Sequence, residues 1–302
     1  MQLKFKNIGK LFKSAYKAWI AKDPFRQSAV IAYYAIFSIP GLLVLIIAIT
    51  GYFFGKDAVN ENIIAQISTT MGADTAASIK DMLMKASKSK SSILGSIFSV
   101  GVLLVGATGV FVELQKSLND IWHVKLVERS GILPILKARL FSFGLFIAIA
   151  FLLLISLVVS TGLTALSDLI KTYTSDFTVI IFNVLNFIFS LVVISILFAL
   201  MFKILPDAKI GWKHVWMGSL LTGLLFTVGK TALAFYFGKA DPASVYGAAG
   251  SVILMLLWVS YSSMIVFFGA EFTAAYARMY SGKVAPSEIA KAVIPQKINQ
   301  KV

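Results

Sequence analysis

Long apolar stretches alternate with short polar connections over most of the 302 residues. A helix needs ~20 residues to cross roughly 30 Å of hydrocarbon, and the stretches that reach this length are 29–54, 93–114, 139–163, 177–202, 215–237 and 245–276. The bilayer interior offers no water to backbone groups, so such segments cross it as helices. We therefore predict an all-α, multi-pass membrane protein with six transmembrane helices within residues 29–276.

The composition supports a membrane environment and also predicts an orientation. Hydrophobic residues make up 58% of the chain, charged residues only 14%, and the mean hydropathy is +0.84. Most of the 28 Lys and Arg residues lie before residue 27, in the connections 115–139 and 203–214, or after residue 277. Cytoplasmic segments collect basic residues, so we predict that both termini are cytoplasmic. The net charge of +14 then reflects topology and attraction to anionic lipids, and nucleic-acid binding is not needed to explain it.

The segments outside the predicted spans suggest three further regions. Residues 1–28 have lysines on one side and apolar residues on the other, which is typical of an amphipathic helix at the membrane interface. Residues 55–92 form an extracytoplasmic helical connection that could hold an envelope partner, and 277–302 form a basic cytoplasmic tail. Small residues recur in several spans and allow close helix contact, which leaves room for a homodimer. Pro40 and Gly41 predict a break in the first span.

The sequence gives no support for catalysis, a cofactor or a metal. Cysteine is absent, and His123 and His214 are the two histidines. The chain contains no H-E-x-x-H, P-loop or G-x-S-x-G pattern. We therefore predict that the protein is not an enzyme and has neither catalytic nor metal-ligating residues.

Polar and ionisable residues within the predicted spans are the candidates for function, because such groups are costly in hydrocarbon. Lys230 interrupts the fifth span, and a patch of polar residues interrupts the sixth. Each feature also has a structural explanation, since a lysine stem can reach the interface and hydroxyl groups can join helices. The candidate pathway or substrate contacts are Tyr33, Asn183, Asn186, Lys230, Ser260, Tyr261 and Glu271.

A second group of candidates lies near the predicted cytoplasmic ends of the spans. The stretch GVFVELQKSLNDIW (109–122) places Glu113 where the second span ends, and Glu271 occupies a similar position in the sixth. Arginines at 26, 139 and 278 are candidate counter-charges. A structural ion pair and a proton or cation site both remain open. The candidate residues of a cytoplasmic gate or ion pair are Glu113, Gln115, Asn119 and Arg139.

Three stretches in this order resemble the YihY/BrkB family of bacterial inner-membrane proteins. They are SAVIAYYAIFSIPGLLVLIIAI (28–49), GATGVFVELQKSLNDIWHV (106–124) and SVYGAAGSVILMLLWVSYSSMIVFFGAEFTAAYAR (244–278). The positions that match the family pattern are Tyr33, Tyr34, Pro40, Gln115, Asn119, Trp122, Tyr246, Gly247, Gly250, Trp258, Tyr261, Gly269 and Glu271.

The resemblance implies a six-helix inner-membrane protein with cytoplasmic termini. It also implies a link to virulence and to envelope lipid transport, and it carries an older, mistaken ribonuclease assignment. We therefore expect a transporter or flippase-like protein for a lipid or envelope component. Cation/proton antiport and a non-transporting scaffold for envelope assembly are the alternatives, and a membrane-bound nuclease has the least support.

Overall fold

A computed structural model describes residues 5–38, 109–127, 176–240, 249–282, 284–287 and 290–293, together with Tyr246 and isolated helical positions between 61 and 84. Most of these residues are helical, in agreement with the predicted fold class. The helices are α1 (Phe5–Ala21), α2 (24–38), α3 (109–121), α4 (Asp176–Ile204), α5 (Trp212–Ala240) and α6 (Gly250–Ser281). The strands are β1 (Val124–Leu126) and β2 (Ala290–Ala292).

Among the described residues, three helices are long and apolar enough to cross a membrane. Their apolar parts are Val184–Ile204, Trp212–Phe237 and Val252–Tyr280, which correspond to the fourth, fifth and sixth predicted spans. The first predicted span begins in α2 and the second ends in α3, whereas 139–163 lies outside the described residues, as do Pro40 and Gly41. The count of six, the helix break and the orientation therefore stay predictions.

The exposed faces of α4 and α5 are apolar, as lipid contact requires. Residues three, four or seven positions apart share one side of a helix. On α4 the stripe consists of Ile181, Val184, Leu185, Ile188 and Val192, and the exposed Phe187 lies beside it. On α5 the stripe consists of Leu220, Leu224 and Val228. Such stripes would be unfavourable in water, and they indicate where acyl chains contact the protein.

A tight turn separates α1 from α2. Asp23 adopts a φ of 50°, a conformation that aspartate tolerates better than most residues. Its Oδ1 accepts a hydrogen bond from the Arg26 backbone N–H at 3.4 Å, as an N-cap residue does. Pro24 follows as the first helical residue, where its missing N–H costs nothing. The sequence KDPF therefore ends one helix and starts the next.

A small β-sheet was not predicted from the sequence. β1 and β2 pair antiparallel, with Lys125 opposite Lys291. His123 precedes β1 with a φ of 54°, and its carbonyl accepts a hydrogen bond from the Val293 backbone N–H at 2.8 Å. The described residues are therefore mostly helical, with this small sheet as an addition that the prediction lacked. Strands of three residues separated by more than 160 positions leave too little periodicity in the sequence to be recognised.

The chain divides into two compact units. The first contains Met1–Ala18, Lys116–Leu224 and Phe268–Val302, and the second contains Trp19–Gln115 and Leu225–Phe267. In the first unit, Leu11 and Ala15 of α1 pack with residues of α6. In the second unit, Met255 packs with Ile79 in one cluster, and Leu254 packs with Phe237 in another. Each unit therefore has an apolar core of its own.

Candidate functional site

Residues 269–275 of α6 are all buried, although one of them is acidic. Phe267, Glu271, Thr273 and Ala274 are each no more than 1% exposed. Successive residues are rotated by about 100° around a helix axis, so Phe267, Glu271 and Ala274 share one face and Thr273 lies on another. The seven consecutive buried residues 269–275 together cover all faces. Enclosure on all faces is typical of a central helix. Among the described acidic side chains, Glu271 is the most deeply buried.

Paired glycines and threonines bring α5 and α6 into close contact. A Cβ atom at Gly218 would lie 1.7 Å from Thr273 Oγ1, and one at Gly269 would lie 1.8 Å from Thr222 Oγ1. Each threonine hydroxyl donates a 2.7 Å hydrogen bond to the glycine carbonyl of its own helix. Two Gly-x-x-x-Thr segments thus fit into each other on antiparallel helices. Small residues permit this close approach in a membrane.

The sequence contains the signal for this contact, but only the glycines could be identified from it. GSLLT (218–222) and GAEFT (269–273) repeat the same spacing on two spans. Gly218 is one of the small residues of the fifth span, and Gly269 is a family-pattern position. The threonines were missed because a hydroxyl group in a helix commonly bonds its own backbone and gives no cue about a partner helix.

A similar close contact joins α4 to α5. A Cβ atom at Gly223 would lie 2.7 Å from Ser195 Oγ. Ser195 is buried, and its hydroxyl donates a 2.7 Å hydrogen bond to the Leu191 carbonyl. The three described spans are therefore connected by small residues whose polar atoms are already satisfied.

Glu271 forms an ion pair with Arg278, one of its predicted counter-charges. Arg278 Nη2 lies 3.5 Å from Glu271 Oε2. The two side chains differ greatly in exposure, which is 40% for the arginine and 1% for the glutamate. Side chains on a helix tilt towards its N-terminus, so the arginine extends back along α6 towards the carboxylate. The pair links a buried negative charge to an accessible positive one.

Exposed tryptophans indicate the depth at which we expect this pair to lie in a membrane. Trp212 and Trp216 are 47% and 46% exposed, and tryptophan is enriched at membrane–water interfaces. They precede Gly218, which contacts Thr273, so in an antiparallel pair they lie level with the end of α6 that carries Arg278. Glu271 lies seven residues before Arg278 on α6. Because each helical residue adds ~1.5 Å, its backbone is about 10 Å deeper than that of Arg278.

α1 is attached to the same part of α6. Leu11 and Ala15 are 2% and 0% exposed and pack with Phe272 and Ala275. The Phe12 ring lies 5.1 Å from the Phe272 ring, measured between centroids. The apolar side of this predicted interfacial helix therefore contacts protein next to Glu271.

Asn119, a predicted gate residue, forms a buried pair with an aspartate that was not among the candidates. Asn119 Nδ2 donates to Asp207 Oδ2 at 2.7 Å. In return, the Asp207 backbone N–H donates to Asn119 Oδ1, also at 2.7 Å. The side chains are 7% and 8% exposed, respectively. No local pattern links positions 88 residues apart, so the partner could not be found from spacing.

The segment after α6 connects to the same region through backbone hydrogen bonds. The Lys209 N–H donates to the Ala285 carbonyl at 2.8 Å, and the Ser287 N–H donates to the Asp207 carbonyl at 2.9 Å. β2 follows shortly afterwards. Part of the predicted basic tail is thus an ordered element that covers the connection between α4 and α5.

The remaining candidates are distributed between the two units. Asn186 belongs to the first unit and is half-buried. Its Oδ1 is buried and accepts no hydrogen bond from the part of the chain that the structure describes. Asn183 also lies on α4, but its side chain is outside the description, and so is Arg139. The structure therefore brings Asn119 and Glu271 to specific partners, whereas the predictions for Asn183 and Arg139 lie outside the described residues.

The second unit contains the other candidates. Tyr33 is 59% exposed, and its ring lies 5.2 Å from that of Phe37. Tyr261 packs against the backbone of α5, because a Cβ atom at Gly229 would lie 2.5 Å from its hydroxyl oxygen. The half-buried candidates of this unit are Glu113, Gln115, Lys230 and Ser260.

The absence of a metal site stays a prediction. Within the described ranges, no group of three or more His, Cys, Asp and Glu side chains is close enough to hold an ion. The Glu271–Arg278 pair is therefore the candidate functional site that the geometry defines best.

Most of the chain is similar to proteins of one family. The family described as virulence factor BrkB matches residues 15–292. The chain is 26% identical over 273 residues to a UPF0761 membrane protein of Saccharophagus degradans, which covers 89% of this chain and 60% of the relative. The chain is also 30% identical over 194 residues to a UPF0761 membrane protein of Verminephrobacter eiseniae. This match covers 64% of the chain and 44% of the relative.

A third relative, a UPF0761 membrane protein of Azotobacter vinelandii, is 24% identical over 90% of this chain and 64% of its own length. The chain thus spans about half to two-thirds of the length of these curated relatives. No solved structure matches it. The family match covers most of the sequence, and apolar helices of spanning length are present in the fold. The chain is therefore a multi-pass membrane protein that belongs to the virulence factor BrkB family.

Proposed function

We propose that the protein is a transporter or flippase-like protein that moves a lipid or another envelope component across the bacterial inner membrane, without enzymatic activity. The observation that carries this proposal is the Glu271–Arg278 ion pair. Ionisable groups at membrane depth are costly and commonly mark transport pathways. A carboxylate that is 1% exposed in a spanning helix is such a group.

The unequal exposure of the two side chains supports a mechanism of partner exchange. Arg278 lies level with the tryptophans and is accessible, so an anionic headgroup could bind its guanidinium by charge-assisted hydrogen bonds. Glu271 would then lose part of its interaction with Arg278 at hydrocarbon depth. Breaking one side of a buried pair is costly, which provides a driving force for the surrounding helices to rearrange when a headgroup arrives.

The close contact between α5 and α6 limits where such a rearrangement can occur. Gly218 and Gly269 leave no space between these helices, so the pair is expected to move as one body. Shear and hinge motions need neighbouring elements that can slide or rotate. In this proposal, α5 and α6 carry Glu271 as a rigid pair while other elements move around it.

A lipid-scrambling assay tests the proposal. Purified protein would be placed in liposomes that contain a fluorescently labelled phospholipid, and a membrane-impermeant reductant would report labels that reach the outer leaflet. We expect Glu271→Gln and Arg278→Gln to slow this movement at least tenfold while the protein remains folded. Glu61→Gln is the matched control, because Glu61 is exposed in the second unit and should leave the rate unchanged. Wild-type rates in both site variants would refute the proposal.

Cation/proton antiport is the second candidate function, and the deeply buried carboxylate of Glu271 favours it. Carboxylates within membranes exchange protons and bind cations in many transporters. Antiport predicts that Na⁺ or K⁺ dissipates a pH gradient across liposomes containing the protein, and that Glu271→Gln stops it. If the protein neither scrambles lipid nor dissipates the gradient, both functions fail and a scaffold role becomes the better explanation.

A further inference from the structure

The side chains of α1 form three bands around the helix. Leu11 and Ala15 make up the band that is buried against α6. Phe12 and Tyr16 form a second band, with 38% and 55% of their surfaces exposed. The third band consists of the exposed lysines Lys10, Lys13 and Lys17. Their spacing of three and four residues places these lysines on one side of the helix.

The attachment of α1 to α6 places these bands close to the membrane surface. Leu11 and Ala15 pack with Phe272 and Ala275, and Gly218 contacts the intervening Thr273. Exposed tryptophans at 212 and 216 precede Gly218 by about one to two turns. α1 therefore lies at the depth where tryptophan and headgroups meet, and its exposed aromatic band is suited to the boundary between acyl chains and headgroups.

The charge of α1 specifies the chemistry of its partner. Its sequence, FKNIGKLFKSAYKAWIA, contains lysines and no acidic residue. No negative charge on α1 neutralises the lysine band, so the positive charge of these lysines can attract anions in the surrounding membrane. Anionic lipids attract basic residues next to a membrane, and the neighbouring aromatic band favours a bilayer over a soluble acidic protein.

We propose that Lys10, Lys13 and Lys17 of α1 form a docking surface for the phosphate groups of anionic lipids, while Leu11 and Ala15 fix the helix to α6. This surface is separate from the Glu271–Arg278 pair, and its role does not depend on transport. The apolar contacts hold α1 in place, so removing the lysine charges should leave the fold intact. Lipid composition would thus be sensed one turn away from the site proposed for transport.

A fluorescent label on α1 tests this docking surface. The chain contains no cysteine, so Ser14→Cys in the full-length protein provides a unique attachment point on the exposed side of α1. An environment-sensitive dye would be followed in nanodiscs of phosphatidylcholine alone and of phosphatidylcholine with increasing phosphatidylglycerol. We expect the emission to shift to the blue as the anionic fraction rises, and the shift to disappear at high salt, because salt screens exposed charges.

The charge variants decide whether the lysines cause the shift. Attraction of about 1 kcal/mol for each lysine near an anionic surface corresponds to roughly fivefold in affinity, or ~100-fold for three lysines. The triple variant Lys10→Gln, Lys13→Gln, Lys17→Gln should therefore lose the shift. The control Lys125→Gln, Lys209→Gln, Lys291→Gln removes the same charge from other exposed positions and should keep it.

Three outcomes would overturn the proposal. The first is a wild-type emission that does not depend on phosphatidylglycerol, and the second is a triple variant that responds like wild type. The third is an emission shift of the wild-type protein that appears in phosphatidylcholine nanodiscs only after an acidic protein is added. Retained lipid scrambling in the triple variant would leave the proposed function intact even if the docking surface were refuted. The two proposals can therefore fail independently.

Discussion

Substituting Gly218 with alanine should destabilise the protein, because α5 and α6 meet there without space for a methyl group. The new Cβ would lie 1.7 Å from Thr273 Oγ1 and 2.8 Å from Thr273 Cβ. Rotation of the threonine side chain can move the hydroxyl but not its Cβ. Ordinary contact begins near 3.4 Å, so the two backbones must separate by at least about 0.6 Å even after rotation. Overpacking of this kind costs ~1–3 kcal/mol.

The expected loss can be measured by thermal unfolding in detergent, followed by fluorescence-detected size-exclusion chromatography. Each kcal/mol corresponds to roughly 2–4 °C in the midpoint of a domain of 150–250 residues. Gly9→Ala is the matched control, because a Cβ at Gly9 meets nothing within 4 Å. Alanine favours a helix by ~1 kcal/mol over glycine at both positions, so the difference between the two variants isolates the cost of overpacking. We expect Gly218→Ala to lower the midpoint and Gly9→Ala to leave it unchanged or raise it.

A second variant shows whether the threonine is the cause of the clash. Thr273→Ala in the Gly218→Ala background removes the 1.7 Å contact but keeps the 2.8 Å contact. The double variant should therefore recover part of the lost stability. If Gly218→Ala is as stable as Gly9→Ala, or if the effects of Gly218→Ala and Thr273→Ala are additive, the close contact between α5 and α6 is contradicted.

Three further predictions concern the region around Asp207 and the absence of a metal. Asn119→Ala removes the amide that donates a 2.7 Å hydrogen bond to the buried Asp207 carboxylate, and it should cost about 1–3 kcal/mol of stability. Asp207→Asn keeps an acceptor oxygen and should cost less. Equal losses of the two variants in thermal unfolding would contradict this pairing. Truncation after Gly282 removes the acceptor of the Lys209 N–H and should accelerate its hydrogen exchange, whereas truncation after Val293 should not. Incubation with EDTA should change neither stability nor lipid scrambling, and a loss restored by one divalent ion would contradict the predicted absence of a metal.

The helical, membrane-spanning character of the chain could be predicted from the sequence because hydropathy reports burial in lipid directly. The stretches 177–202, 215–237 and 245–276 correspond to α4, α5 and α6. The three-residue strands could not be predicted, because β1 and β2 are held by pairing across the chain rather than by their own periodicity. Helix boundaries were shifted by a few residues, as at Gly250, since hydropathy does not mark caps.

The candidate site was predicted less completely than the fold. Glu271 and Arg278 were identifiable because charge is rare in apolar segments, and opposite charges predict a pair. Asp207 was missed because it follows α4 in an ordinary polar connection, and only the three-dimensional fold brings it to Asn119. The roles of Tyr33, Lys230 and Ser260 stay predictions, because exposure alone does not distinguish a pathway from a lipid-facing or packed side chain.

The most direct test of the account compares the single and double neutral variants of the Glu271–Arg278 pair. Arg278→Gln should reduce stability, since it leaves the buried Glu271 carboxylate without its partner. Glu271→Gln should cost less, because the arginine that it leaves behind is accessible to water. The double variant should regain stability, because both charges are removed together. If the pair works in transport, lipid scrambling stays lost in this stable double variant. Scrambling that returns to the wild-type rate together with stability would show that the pair is structural and would contradict the proposed function.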